Sequence, residues 1–268
     1  GGVVSGSLAL LSDASHNFSD VVSLIISYVA SFYSNKEASA NKTFGYKRAE
    51  IIAAFINALS LLVIAVFLIS EAIERFLNPE TIDANLVIWL SILAIVGNGV
   101  SVLILHADAK NNLNIRSSYL HLFTDLLGSF AVLIGGLLMH FYQIYWVDAV
   151  LTLMIAIYLL IVGYQLAKKA FNVLMLFTPE DVELEELLRQ VNKIPQVKNM
   201  HHVHIWQLND DEIHLEAHID FKKDISLSEF DLILEKIEAI AKNEYGINHI
   251  NIQPEYQKRN NKNIIVQD

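Results

Sequence analysis

The 268-residue chain contains no cysteine, only 4 prolines and a charged fraction of 18%. Without cysteine there is no disulfide framework, no thiolate zinc site and no thiol nucleophile, and the redox compartment cannot be read from thiol usage. Positive charge is also scarce. Lys and Arg number 19 against 29 Asp and Glu, a formal net charge of −10, and such an acidic balance lacks the clustered cations that nucleic-acid phosphates demand. The H-E-x-x-H zinc-protease pattern is absent too, which counts against a metallohydrolase. What is abundant is apolar surface: 53% of residues are hydrophobic, with mean hydropathy +0.39. That is too apolar for one soluble domain and too charged for a wholly embedded protein, so a two-part chain is expected. The charge divides accordingly. Residues 1–178 hold 9 basic against 11 acidic side chains, and residues 179–268 hold 10 against 18.

Apolar windows near the roughly 20 residues that cross a bilayer lie at about residues 7–32, 49–76, 86–105, 118–141 and 147–173, giving five expected spans in an α-helical membrane bundle. Lys36, Lys42, Lys47 and Arg48 sit between the first two, and Lys110 and Arg116 between the third and fourth. The remaining loops are free of basic residues, so these two basic loops face the cytoplasm. Lys168 and Lys169 then direct the acidic tail to the same side. The chain opens on Gly1-Gly2-Val3-Val4 without an initiator Met and reads as a fragment whose first helix is missing; restoring it gives six spans and a cytoplasmic N-terminus.

The tail predicts a small α+β domain in the order α-β-β-α-β. Thr178-Pro179-Glu180-Asp181 reads as a capped helix start, and Val182, Leu184, Leu187, Leu188 and Val191 follow at helical spacing. Ile213 to Phe221 alternates apolar and polar residues as a half-buried strand, paired through an Asn209-Asp210-Asp211 turn with a strand that begins near Val203. Ser226 and Glu229 form a capping box before a second helix, and Ile250 and Ile252 mark a third strand. Strict alternation puts His202, His204, Trp206, His214, His218 and His249 on the sheet face that the helices leave uncovered, and His201 out of step with His218. A solvated polar face, a dimer contact and a cytosolic metal site are all readings of that surface.

The first span carries His16 and Asp20 at i and i+4, and the fourth carries His121 and Asp125 at the same spacing. Residues four apart share a helix face, and ionisable groups at membrane depth are costly enough to face a partner or a ligand. Two imidazole nitrogens and two carboxylate oxygens suit tetrahedral zinc, and two carboxylates offset a dication's charge. A His-Asp network that only joins helices is the structural alternative. Asp13, Asn57 and Asn98 are candidates for orienting these ligands, with interhelical hydrogen bonding the plainer role for the two asparagines. Glu50, Glu71, Glu74, Arg75 and Asp148 lie near span ends, where solvated or interfacial roles are expected.

The run Ser5 to Asp20, the segments Thr43 to Glu50 and Ile56 to Leu59, and His121 to Ser129 closely resemble the signatures of the cation diffusion facilitator family of zinc/proton antiporters, bacterial type. His201 to Trp206 and Ile250 to Glu255 resemble its cytosolic metallochaperone-like domain. The resemblance covers essentially the whole chain. It implies a homodimer of six-helix protomers in the plasma (inner) membrane, no catalytic residues and no organic cofactor, with Zn2+ as the transported substrate and alternating access driven by protons. It places the transport ligands at His16, Asp20, His121 and Asp125, and possible regulatory zinc ligands at His201, His218 and Glu255. The implied domains are a transmembrane part over residues 1–177, a cytosolic dimerisation and metal-sensing part over 178–257, and a flexible tail over 258–268. The loop from Asn35 to Gly45 has no His, unlike relatives with a further metal site there, and Leu174-Met175-Leu176 lacks the acid that could pair with Arg48. The rival readings are a membrane-tethered metal sensor or scaffold acting through its cytosolic histidines, an intramembrane metalloenzyme, and bis-histidine haem ligation.

Overall fold

The structure is a computed structural model that describes residues 1–106 and 113–266, with the side chains of residues 113–118 also outside the description. The expected basic loop with Lys110, and the side chain of Arg116, therefore lie outside the described residues. Packing divides the chain into two compact units, Gly1–Ile26 with Ile56–Ala167, and Ser27–Phe55 with Lys168–Asp268.

The first unit is built from helices, the ends of α2 and α6 and the start of α3 belonging to the second. A short α1 (Gly2–Ser5) precedes the long helices α2 (Leu8–Ser34), α3 (Ala49–Leu77), α4 (Ala84–His106), α5 (Leu113–Tyr142) and α6 (Trp146–Leu174). The five expected spans fall on α2 to α6. Four segments, Ala49–Leu77, Ala84–His106, Tyr119–Tyr142 and Trp146–Leu174, are long and apolar enough to cross a membrane. α2 has the length but is less apolar, because Asp13, His16, Asn17 and Asp20 occupy its first half. Outward-facing Val63, Trp89 and Leu103 are each at least 70% exposed, a density of bare apolar surface that suits lipid rather than water.

Small residues allow these helices to approach. Ala65, Leu68, Ala156 and Leu159 join α3 to α6, and a Cβ on Gly163 would come within 3.2 Å of Leu62. Ala9 and Leu10 of α2 meet Val87 of α4 and Val132 and Met139 of α5 in a second cluster. Asp148 corrects an expectation. It is not solvated at a span end but 2% exposed, accepting hydrogen bonds from Ser7 Oγ at 2.5 Å, Leu8 N at 2.7 Å and Ala9 N at 3.3 Å. The first amides of a helix have no intrahelical acceptors, and a carboxylate from α6 supplies them for α2.

The second unit carries the α+β domain in the expected order: α7 (Leu184–Asn192), β1 (Val197–Gln207), β2 (Ile213–Phe221), α8 (Leu227–Tyr245) and β3 (His249–Glu255). The sheet order is β1-β2-β3. β1 and β2 pair antiparallel, and α8 makes the crossover that lets β3 lie parallel to β2. Leu187, Leu188, Val191, Ile233, Ile237 and Ala241 from the two helices pack on Leu215, Ala217 and Ile219, so both helices cover one face. The Ser226–Glu229 capping box is present, and Asn209 Oδ1 accepts from the amides of Asp211 and Glu212 to close the hairpin turn.

Two local expectations fail. Pro179 to Val182 form a turn, closed by Val182 N to Pro179 O at 3.1 Å, rather than a capped helix start at Thr178. That turn folds Val182 into the core, and the helix begins only after Glu183, which makes no side-chain cap. Strict alternation also breaks in β1. The pairing skips between His201 and His204, and His202 adopts φ 50°. A bulge of this kind reverses the phase of everything on one side of it.

Removing the carboxylate that closes the start of α2 leaves Ser7 and two buried amides without acceptors. Asp148→Ala is expected to cost about 1–3 kcal/mol and lower the thermal midpoint of the protein in detergent micelles. Asp148→Asn, which retains one acceptor oxygen, is expected to lose less.

Candidate metal sites

Helical spacing puts His16 and Asp20 one turn apart on α2, and His121 and Asp125 one turn apart on α5. The structure brings the two pairs together: one ligand atom from each residue lies within 4.8 Å of the others. His16 Nε2 is 3.6 Å from Asp20 Oδ2 and 3.6 Å from Asp125 Oδ1. His121 Nε2 is 3.2 Å from Asp20 Oδ2 and 3.7 Å from Asp125 Oδ2. Each imidazole thus faces both carboxylates. A tetrahedron with Zn–N and Zn–O bonds of about 2.0–2.1 Å has edges of roughly 3.3–3.4 Å, so these separations need only small adjustments to enclose one ion. Asp125 and His16 are the enclosed members, with side chains 7% and 13% exposed, while Asp20 and His121 are open at 30% and 46%.

The proposed supporting residues divide. Asn57 Nδ2 donates to Ser23 O at 3.4 Å, linking α3 to α2. Asn98 Nδ2 lies 3.4 Å from Ser129 Oγ, which itself donates to Asp125 O at 3.0 Å. Asn98 therefore reaches the ligand helix one turn from Asp125, and among the described residues the side-chain hydrogen bonds of the two asparagines go to Ser23 and Ser129 rather than to a ligand side chain. Asp13 takes no part in the ion pairs of the group.

The second unit holds a separate cluster of His201, His218 and Glu255, again within 4.8 Å. His201 is not out of step with His218: the bulge at His202 turns it onto the uncovered face, where it pairs directly with His218 across the strands. Their rings meet edge to face at 5.6 Å. Glu255 Oε2 lies 3.3 Å from His201 Nε2, and Oε1 lies 3.1 Å from His218 Nδ1. Burial lowers the pKa of both imidazoles, leaving them neutral at pH 7 with ring nitrogens able to bind a cation.

Sequence reasoning missed the rest of this cluster. Burial works to raise the Glu255 pKa, yet hydrogen bonds from Lys258, Lys262 and Asn260 bring it from 4.5 to about 2. Lys262 Nζ lies 2.7 Å from Glu255 Oε2, 2.9 Å from Asp220 Oδ1 and 3.4 Å from His201 Nε2. The only hint in the chain was alternation, since Lys258, Asn260 and Lys262 are spaced by two. Among the described residues the group of possible ligands is these three, and His202 stacks on His218 at 4.5 Å. His214 stacks on Trp206 at 5.1 Å and packs near Phe44 and His249. In the same unit Lys47, rather than Arg48, makes an ion pair, with Glu212.

Comparison with known proteins agrees with this layout. Residues 1–175 match the cation efflux transmembrane domain, and residues 179–257 match the cytoplasmic domain of cation efflux proteins. The chain is 38% identical to the cadmium, cobalt and zinc/H(+)-K(+) antiporter of Bacillus subtilis, over 99% of this chain and 86% of that protein. It is 33% identical to the zinc transporter ZitB of Escherichia coli, over 96% of this chain and 82% of that one. Among solved structures, the metal-bound C-terminal domain of the CzcD transporter from Cupriavidus metallidurans is 28% identical, with a TM-score of 0.25, covering 28% of this chain and 99% of that one. Helices able to span a membrane, a cytoplasmic α+β domain and matches over both parts lead to one assignment: the chain belongs to the cation diffusion facilitator family of cation efflux transporters, not to an enzyme family.

Proposed function

We propose that this protein exports zinc and related divalent transition-metal cations from the cytoplasm in exchange for protons, by alternating access at His16, Asp20, His121 and Asp125. The observation that carries the reading is the convergence of two imidazole nitrogens and two carboxylates from α2 and α5 at nearly tetrahedral spacing. Two carboxylates match the charge of a dication, which reduces the cost of holding it at membrane depth. The donor set suits zinc or cobalt better than the hard cations magnesium and calcium, which prefer oxygen throughout. Imidazole and carboxylate also bind protons, and a metal must displace those protons to coordinate. One site then exchanges one ion for the other, and an inward proton gradient drives metal outward. Names of relatives support this: the Bacillus subtilis protein is described as a metal/H(+)-K(+) antiporter.

The protein works as a homodimer, a reading that rests on the family of its cytoplasmic domain. His201, His218 and Glu255 form a cytosolic metal site on that domain. Its neutral imidazoles and ionised carboxylate need no proton released before a cation binds. A membrane-tethered sensor would use this cluster alone; the paired His and Asp residues of α2 and α5 favour the transporter.

In vesicles reconstituted with the protein and an imposed pH gradient, Asp20→Asn or Asp125→Asn is expected to lower zinc flux by at least the roughly 10- to 100-fold that loss of even a supporting partner costs a metal site. Unchanged flux would refute the transport site.

Glu255 also predicts an acid response. Its folded pKa is about 2 against 4.5 for the free side chain. Its stabilising contribution is therefore complete above pH 4.5 and lost as pH falls through 2. The urea midpoint of the cytosolic domain, followed by Trp206 fluorescence in a Trp89→Phe, Trp146→Phe background, is expected to fall over that window. Glu255→Gln is expected to flatten the decline.

A further inference from the structure

Beyond β3 the chain doubles back on the cytosolic cluster. Lys258 Nζ donates to Glu255 Oε1 at 2.8 Å, and Asn260 Nδ2 reaches both carboxylate oxygens at 3.0 and 3.1 Å. Lys262 then places its ammonium against Glu255, Asp220 and His201. The next two residues engage the backbone: His202 N donates to Asn263 O at 3.0 Å, and Val203 N donates to Ile264 O at 2.8 Å. His202 and Val203 are the residues that the β1–β2 pairing skips. The tail thus satisfies the donors that the bulge releases, and in the same stretch it delivers a cation to the acids beside His201. The segment lies past residue 257, where the match to the cytoplasmic domain ends, although the sequence alone set residues 258–268 aside as flexible.

Glu255 and Asp220 are each 4% exposed, and buried carboxylates require a compensating cation. Lys262 supplies it, its ammonium donating to Glu255 Oε2 at 2.7 Å and to Asp220 Oδ1 at 2.9 Å. A dication held by His201 Nε2, His218 Nδ1 and Glu255 would compete for Glu255 Oε2, the ligand oxygen that Lys262 now holds, and stand within a few ångströms of the ammonium (roughly 3–4 Å, from metal–ligand bonds near 2 Å). Like charges at that distance repel, and both cannot occupy one carboxylate oxygen.

We propose that residues 258–266 form a tethered cationic latch, in which Lys262 occupies the cytosolic metal site until a divalent cation expels it and frees the tail from β1. This rests on the reading of His201, His218 and Glu255 as metal ligands. The latch sets the cytosolic metal concentration at which the domain responds, because a competitor on the same chain weakens the apparent affinity by the fraction of time the site is open. It also couples occupancy to the bulge, since the strand that pins His202 and Val203 leaves together with Lys262.

The test uses the full chain in micelles, with Asp20→Asn and Asp125→Asn to disable the membrane group, and zinc alone as the probe. Lys262→Gln is expected to tighten cytosolic zinc binding by about tenfold, as for a latch closed about nine-tenths of the time. Lys262→Arg, which retains the charge, is expected to stay near the native affinity. Since the chain has no cysteine, Ile265→Cys accepts a single spin label, in a chain with the membrane group intact. Zinc is expected to mobilise that label, and Lys262→Gln to mobilise it without zinc. Zinc binding that is lost on His201→Ala but unchanged by Lys262→Gln, with a label indifferent to zinc, overturns the latch and leaves the metal site standing. Absence of any zinc binding that depends on His201 overturns the site reading and the latch with it.

Discussion

A dication crossing a membrane must exchange its water for protein donors without meeting uncompensated charge. In the proposed transport site the arrangement of α2 and α5 answers to that requirement. Asp20 lies beside both His16 and His121, and so does Asp125, which keeps the two carboxylates on opposite sides of one small volume. Each carboxylate faces both imidazoles, so the four donor atoms already point toward one volume. Neither helix contains a complete site. In the proposed transport site the distance between α2 and α5 decides whether the cation is held, and the cluster that joins Ala9 and Leu10 of α2 to Val132 and Met139 of α5 bears on that distance.

The cytosolic cluster solves a related problem with backbone rather than helix packing. An uninterrupted β1 would send His201 to the core face with Met200 excluded from it. One residue with φ 50° at His202 allows Met200 and His201 both to be buried, Met200 among the apolar residues under the helices and His201 against Glu255. The cost of a bulge is two backbone donors turned out of the ladder. In this protein a segment from the end of the same chain accepts them.

Much of this was legible in the residues because it depends on periodicity. The i,i+4 pairs, the apolar spans and the alternation of β2 are local patterns, and each led to the right element. The family resemblance supplied His201 where alternation contradicted it, because a bulge leaves no mark in composition. Asp148 was misread because its partners, Ser7 and the first amides of α2, are about 140 positions away, and a carboxylate near a span end looks the same whether it caps a helix or meets water. The start of α7 was misplaced for a different reason: Thr-Pro-Glu-Asp satisfies the rules for a cap and those for a turn equally well, and the burial of Val182 decides between them. Lys262 escaped notice since a lysine in a polar tail has no pattern until the fold delivers it to an acid.

The bonds from Asp148 to Ser7, Leu8 and Ala9 also have a mechanical side. They fasten one end of α2 to α6, so any rocking of α2 pivots near Ser7. Asp20 stands twelve residues beyond Leu8, the first residue of the helix, roughly 18 Å along it at about 1.5 Å per residue. A tilt of only about 10° there sweeps its carboxylate through roughly 3 Å, close to the 3.2 Å that separates it from His121. A pinned lever of this length can open or shut a coordination cage with little repacking at its fixed end.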